Sequence, residues 1–141
     1  MEINRERLFW TNLPSSLVGT YIHMAVKEQE QVYPFVGNHQ FIKVSWAELA
    51  NGDSGSPFEF SQYADRSVQV AGTFGAGGAL VMEGTNDGVN YYPLTDPQGN
   101  ALTFTSAKIE AVSEIVLMLR PRVTGGDGTT NLAVTMLARK N

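Results

Sequence analysis

The residue types best suited to covalent chemistry are a serine and two histidines. Residues 52–57 read GDSGSP, a pattern that can place a serine hydroxyl beside backbone amides. A serine nucleophile also needs a histidine as base and an aspartate that orients it. His23 and His39 precede Ser54, but no aspartate lies between His23 and Asp53, and the stretch is also ordinary turn composition. We therefore predict that Ser54 is not a nucleophile and that the chain is not an enzyme.

Metal-ligating residue types are scattered along the chain. The two histidines have no third ligand at metal spacing, and the absence of cysteine removes thiolate sites and disulfides. Asp87, Asp96 and Asp127 lie in three expected loops, where their carboxylates either hold Ca²⁺ or cap their own turns. No EF-hand spacing is present, and capping is the preferred interpretation. We expect no metal and no cofactor.

Two adjacent tyrosines follow the turn at residues 86–88. Neighbouring residues on a strand point to opposite sides, so one of Tyr91 and Tyr92 is expected in the core and the other at the surface. An exposed tyrosine beside polar loops can stack on a sugar ring or anchor a protein interface. An ordinary tyrosine at a sheet surface is the third possibility.

Charge is distributed unevenly. The net charge is −4, which disfavours nucleic acid as a partner because such binding needs a basic surface. The positive residues of the last 27 positions are Arg120, Arg122, Arg139 and Lys140, against Asp127 alone. These cations are either scattered over strand faces or form a basic edge that docks on an acidic partner.

No membrane partner is expected. The longest aliphatic run, residues 115–119 (IVLML), is far too short to span a bilayer. The polar beginning of the chain shows no signal-peptide pattern, so we expect synthesis in a cytoplasm.

The elements that position these residues are short strands. Residues 1–38 lack strict alternation and are predicted to form an extended N-terminal arm with one strand over 20–26. Residues 39–141 alternate apolar and polar side chains between Gly-, Asn- and Asp-rich turns. This pattern predicts an all-β sandwich or jelly roll of about 8–10 short antiparallel strands. The one helix candidate is residues 45–50. The predicted core comprises Val68, Val70, Phe74, Leu80, Met82, Leu117, Leu119, Leu132, Val134 and Met136.

About half of the chain resembles a known family. The stretches 66–92 (RSVQVAGTFGAGGALVMEGTNDGVNYY), 94–104 (LTDPQGNALTF) and 119–130 (LRPRVTGGDGTT) resemble capsid cementing or decoration proteins of tailed bacteriophages. The resemblance implies a jelly-roll-like fold and a homodimer on the outside of the capsid, in the virion, made in the host cytoplasm. Its partner would be the major capsid protein, whose neighbouring subunits it clamps.

Candidate contact residues for such a capsid are Arg120, Arg122, Arg139 and Lys140, together with Phe9 and Trp10 of the arm. The segment 83–88 (EGTNDG) also resembles discoidin-type carbohydrate-binding sandwiches, although Thr85 and Tyr91 stand where that family usually has serine and tryptophan. The alternative function is therefore a carbohydrate-binding module that uses Tyr91 or Tyr92.

Overall fold

A computed structural model describes residues 6–9, 24–59 and 61–140 of the chain. The strands in these ranges are β1 (Glu6–Phe9), β2 (Met24–Lys27), β3 (Glu30–Val32), β4 (Phe41–Leu49), β5 (Ser54–Gly55), β6 (Asp65–Thr73), β7 (Ala79–Thr85), β8 (Tyr92–Pro93), β9 (Thr103–Phe104), β10 (Lys108–Val112), β11 (Met118–Gly125) and β12 (Asn131–Arg139). The all-β prediction is confirmed. The strand number is higher than the expected 8–10, because the region assigned to the arm contributes strands and several others have only two residues.

The strands form two sheets that pack as a sandwich. Sheet I has the order β1-β2-β5-β11-β7-β8, with β9 also paired to β7, and sheet II has the order β10-β6-β12-β4-β3. From β3 onward the chain crosses repeatedly between the sheets. One buried cluster takes side chains from both, for example Val70 and Val134 from sheet II and Met82 and Leu119 from sheet I. The jelly-roll connectivity implied by the resemblance stays a prediction.

The alternating pattern of the sequence directs side chains as predicted in the central strands. In β12 the residues Leu132, Val134 and Met136 are fully buried, whereas Ala133 is exposed. A strand buries every second side chain when one face packs on a core. Of the predicted core, Phe74 is only partly buried against the cluster.

Leu117 does not belong to the core, and its prediction is wrong. Its side chain is exposed, because the ladder between β11 and β7 begins only at Met118. Before that point the chain is no longer in sheet register, and the Leu117 backbone N–H instead donates to Asn86 Oδ1 at 3.0 Å.

The predicted helix at residues 45–50 is also wrong, since these residues lie largely in β4. Trp46 and Leu49 are both buried although three positions separate them. The register against β12 shifts by one residue here, pairing Leu49 with Leu132 and Trp46 with Val134. Such a bulge inserts one extra residue, and Glu48 takes a φ of 56° within it. The helix-like spacing comes from this bulge.

Part of the region assigned to the arm lies within the sandwich. β2 pairs in parallel with β5 in sheet I, and β3 pairs with β4 in sheet II. The buried carboxylate of Asp53 links β2 to the turn before β5, because its oxygens accept the backbone N–H groups of Ala25 at 3.0 Å and Ala50 at 2.9 Å. Residues 10–23 lie outside the described residues. Phe58 makes an isolated bridge to Leu119 of β11.

Candidate docking surfaces

The connection between β3 and β4 carries a cluster of exposed apolar side chains. Val32, Tyr33, Phe35 and Val36 are all exposed, and Val36 completely so. We call residues 32–36 the aromatic tip. Large apolar side chains that cluster at the surface mark interaction sites.

The aromatic tip is held in place by its neighbours. The His39 ring stacks on Tyr33 with centroids 4.1 Å apart, and Phe35 contacts the edge of Phe41 at 5.3 Å. The buried Tyr63 donates its hydroxyl hydrogen to the His39 carbonyl at 3.0 Å. The tip is therefore fixed to the core, which lowers the entropy lost when it docks.

Two of the predicted contact cations lie near Phe41 and Tyr63, the residues that support the aromatic tip. Arg139 is the register partner of Phe41, and it bonds Asp65 through both Nε (3.1 Å) and Nη2 (2.6 Å). The Lys140 Nζ lies 5.7 Å from the Tyr63 ring centroid. Arg139 is the last residue of β12 in sheet II, and Lys140 follows it directly.

The other two cations lie on sheet I. Arg120 and Arg122 alternate with buried residues of β11, so both side chains point to the outer face of the sheet. The carboxylate of Glu83 on β7, only 3% exposed, accepts the Arg120 Nε at 2.9 Å and the Arg122 Nε at 3.1 Å. We call Glu83, Arg120 and Arg122 the arginine fork. The structure does not bring the four predicted cations to one edge; it places them in two pairs on different sheets.

Tyr91 is tied to the arginine fork. The Arg120 guanidinium carbon lies 3.7 Å from the Tyr91 ring centroid, a cation–π contact. Burial raises the pKa of the Tyr91 hydroxyl, and the positive charge of Arg120 opposes that rise. Tyr91 is thus half-buried beneath Arg120 and not in the core. One face of its ring is already occupied, which leaves Tyr92 as the better candidate for stacking.

Tyr92 is 68% exposed and lines a cavity of about 400 Å³ at one end of sheet I. The floor of the cavity is apolar, from Gly84, Leu94 and Val116, and its rim includes the carboxylates of Asp87 and Glu114. Apolar walls with a few fixed polar groups are typical of small-ligand sites.

Both rim carboxylates are fixed by local hydrogen bonds. Asp87 Oδ1 accepts the N–H groups of Asn90 at 2.7 Å and Val89 at 2.8 Å, which holds the pKa of that carboxyl well below its usual range. For Glu114, burial would raise the pKa, but hydrogen bonds from the hydroxyl and N–H of Thr95 lower it overall. The rim is therefore negatively charged at neutral pH.

The remaining sequence-predicted residues have structural roles or lie outside the described ranges. Asp96 and Asp127 cap their own turns, as the preferred interpretation predicts, by accepting N–H groups such as those of Gln98 and Thr129. Phe9 pairs through its backbone with Met24, and Trp10 lies outside the described residues.

Within the described ranges, no helix is long and apolar enough to cross a membrane, and no three acidic or histidine residues group as metal ligands.

The motif around Ser54 is built into the sandwich. The Trp46 Nε1–H donates to the Ser56 carbonyl at 2.9 Å, and the Ser56 Oγ accepts the Gln29 N–H at 2.9 Å. Gly55 packs so tightly that a Cβ there would lie 2.4 Å from Trp46 Cδ1. These contacts explain the small residues of the motif by packing.

Sequence reasoning missed the aromatic tip and Glu83. The tip has a signal in the sequence, since residues 32–36 (VYPFV) are all apolar and end at Gly37, but they fall in the region assigned to the arm. Glu83 has no local signal, because its role depends on which strand lies beside β7.

Comparisons with protein-family models, curated proteins and solved structures give no match for this chain. Its function is therefore argued from these surfaces.

Proposed function

We propose that the protein is a structural component of a phage virion that binds the outside of the capsid and clamps neighbouring subunits of the major capsid protein. The observation that carries this proposal is the aromatic tip. Binding energy at protein interfaces concentrates in a few aromatic and arginine side chains near the centre of the contact. The tip offers Tyr33 and Phe35 in a fixed geometry. Arg139 is the register partner of Phe41, whose ring Phe35 contacts.

A clamp needs at least two contact surfaces, and the molecule presents two of different chemistry. The aromatic tip belongs to sheet II, and the arginine fork lies on the outer face of sheet I. When one subunit holds the first surface, contact of the second with a neighbouring subunit becomes intramolecular and raises the avidity. A homodimer would double the number of these contacts.

Stabilisation of the shell follows from mass action. A protein that binds the assembled shell more tightly than free subunits shifts the equilibrium towards the shell. The test adds purified protein to shells that lack it and to free capsid subunits, followed by co-sedimentation and thermal melting. We expect preferential binding to shells and a higher melting temperature. Equal affinity for free subunits, or unchanged shell melting, would contradict the proposal.

A matched pair of variants tests the aromatic tip. Val36→Asp places a charge on the fully exposed residue of the tip, and Val89→Asp makes the same change at an exposed position on another loop. We expect Val36→Asp to weaken shell binding at least about tenfold, as for loss of an interface anchor, and Val89→Asp to change it less than about twofold. Equal effects of the two variants would show that the tip does not dock.

A second candidate function is carbohydrate binding, and the exposed Tyr92 beside the cavity favours it. A sugar ring can stack on Tyr92 while its hydroxyls donate to the fixed carboxylates of Asp87 and Glu114. A glycan array probes this directly, with Tyr92→Ala as the disabling variant and Tyr33→Ala as a control for an exposed tyrosine elsewhere. Signals that Tyr92→Ala removes and Tyr33→Ala retains support this function. An array without signals, or equal losses in both variants, rules against it.

A further inference from the structure

The arginine fork has an arrangement that its internal contacts do not explain. Glu83 carries one negative charge and is 3% exposed, but it bonds two guanidinium groups, whose side chains are 25% and 46% exposed. A buried carboxylate needs one well-placed cation to offset its desolvation. The second arginine therefore leaves these three residues with one surplus positive charge at the surface of sheet I. Two further carboxylates, Glu59 and Asp87, act on the Tyr91 ring that Arg120 covers but accept no hydrogen bond from either arginine among the described residues.

The hydrogen-bond geometry shows where that charge is directed. Arg120 and Arg122 each reach Glu83 through Nε, and no hydrogen bond among the described residues uses their Nη atoms. Arg139 provides an internal comparison, because its Nε and its Nη2 both donate to the same oxygen, Oδ2, of Asp65. A carboxylate that has a single arginine partner thus engages an outer N–H group as well as Nε. In the arginine fork, the outer N–H groups of two neighbouring guanidinium groups remain available to a further anion.

The two guanidinium groups are also preorganised. They stand two residues apart on β11, on the same side of the strand, and Glu83 ties both to the strand beside them. The ring of Tyr91 supports the plane of Arg120 at 3.7 Å. A ligand that binds here loses less side-chain entropy than one that must order two free arginines.

We propose that the arginine fork is a receptor for a carboxylate on an aspartate or glutamate side chain of the shell protein, with Glu83 as the positioning residue. The inference rests on the proposed function for the identity of the partner. A carboxylate fits because its two oxygens can accept the outer N–H groups of the two arginines, and its single charge neutralises the single surplus charge of the cluster. Burial of that contact at an interface leaves no unpaired charge.

The first experiment is independent of any capsid. The arginine Nε–Hε signals of the intact protein are followed by NMR during titration with a tetraglutamate peptide, with tetraglutamine as the neutral control. We expect saturable shifts of the Arg120 and Arg122 signals with tetraglutamate only. The shifts should disappear in Arg122→Gln and persist in Arg139→Gln, which makes the same change at an exposed arginine of the other sheet. Shifts that are absent, or equally reduced in both variants, overturn the proposal.

The second experiment measures shell binding for Arg122→Gln, for Glu83→Gln and for a control variant at another exposed cation, after thermal melting has shown that each variant is folded. We expect Arg122→Gln to weaken binding about tenfold at about 0.05 M salt, and less at about 0.5 M salt, where exposed charges are screened. Lys108→Gln is the control, because it removes one exposed positive charge from β10, at the edge of sheet II opposite β3; it should change binding less than about twofold. Glu83→Gln keeps both arginines and adds one net positive charge to the cluster. We nevertheless expect it to reduce the affinity, because the two guanidinium groups lose the carboxylate that positions them.

The outcomes separate the two proposals. Shell binding by the wild type that Arg122→Gln leaves unchanged refutes the carboxylate receptor and leaves the cementing function standing. Peptide binding at the fork without any shell binding supports the receptor chemistry and refutes the cementing function. If a short oligothymidylate competes with tetraglutamate at lower concentration, the fork selects phosphate and the carboxylate assignment is wrong.

Discussion

Two leucines on one strand offer a sharp test of the inside and outside faces of the sandwich. Leu132 is 0% exposed, and Leu137 on the same strand is 39% exposed on the outer face of sheet II. We expect Leu132→Ala to destabilise the protein strongly and Leu137→Ala to do so only slightly. Both variants remove the same atoms from β12, so the difference reports burial alone.

The magnitude for Leu132 follows from what the truncation removes. Three carbon atoms leave the core, which corresponds to about 2.4 kcal/mol of lost transfer free energy. Leu132 is the register partner of Leu49 at the bulge in β4 and of Gly72 in β6, and paired strands on both sides limit the collapse of the cavity. The cavity therefore adds to the loss, for a total of about 3–4 kcal/mol. For Leu137→Ala we expect at most about 1 kcal/mol.

The assay is urea unfolding followed by tryptophan fluorescence, with thermal melting as the second measurement. A loss of about 3–4 kcal/mol corresponds to a melting temperature lower by roughly 10 °C for a chain of this size. Equal unfolding free energies for Leu132→Ala and Leu137→Ala would refute the assignment of faces. A change in the slope of the unfolding free energy against urea concentration would instead show that the compactness of the native or the unfolded state has changed.

Two further predictions concern the turn before β5 and the acid stability. Gly55→Ala should lower the free energy of unfolding by about 1–3 kcal/mol in urea titrations, because the new Cβ would lie 2.4 Å from Trp46 Cδ1. Gly128→Ala is the control and should leave that free energy unchanged, because its Cβ meets nothing within 4 Å. Hydrogen bonds from Thr129 and Ala76 lower the pKa of Asp127 from 3.8 to about 2, so the carboxylate stabilises the fold above about pH 4 and this contribution is lost as the pH falls through about 2. The melting temperature of the wild type should therefore exceed that of Asp127→Asn at neutral pH and converge on it near pH 2; a gap that stays constant over this range would contradict the assignment.

Local features were predictable because their causes lie within a few residues. The alternation of Val68 and Val70 identifies the buried face of β6, since successive side chains on a strand point to opposite sides. Asp87 caps its own turn, as the preference of aspartate for such positions predicts. The opposite environments of Tyr91 and Tyr92 follow in part from the same alternation, although Tyr91 lies under Arg120 and not in the core.

The bulge in β4 shows where local reasoning fails. Trp46 and Leu49 are three positions apart, a spacing that a helix and a bulged strand share. Nothing near residue 48 decides between them. The choice is made by β12, which offers Val134 and Leu132 as register partners and a core into which both side chains fit.

The sequence by itself determined the all-β class, the turns and the buried faces of the central strands. The arginine fork and the aromatic tip were decided by the tertiary structure. Glu83 meets Arg120 across 37 positions of the chain, and β3 reaches the edge of sheet II only because β4 lies there. The direction of a side chain on a strand is a property of the local backbone, whereas the register between distant strands is set by burial of the whole core. Surfaces that two strands build together become visible only when that register is known.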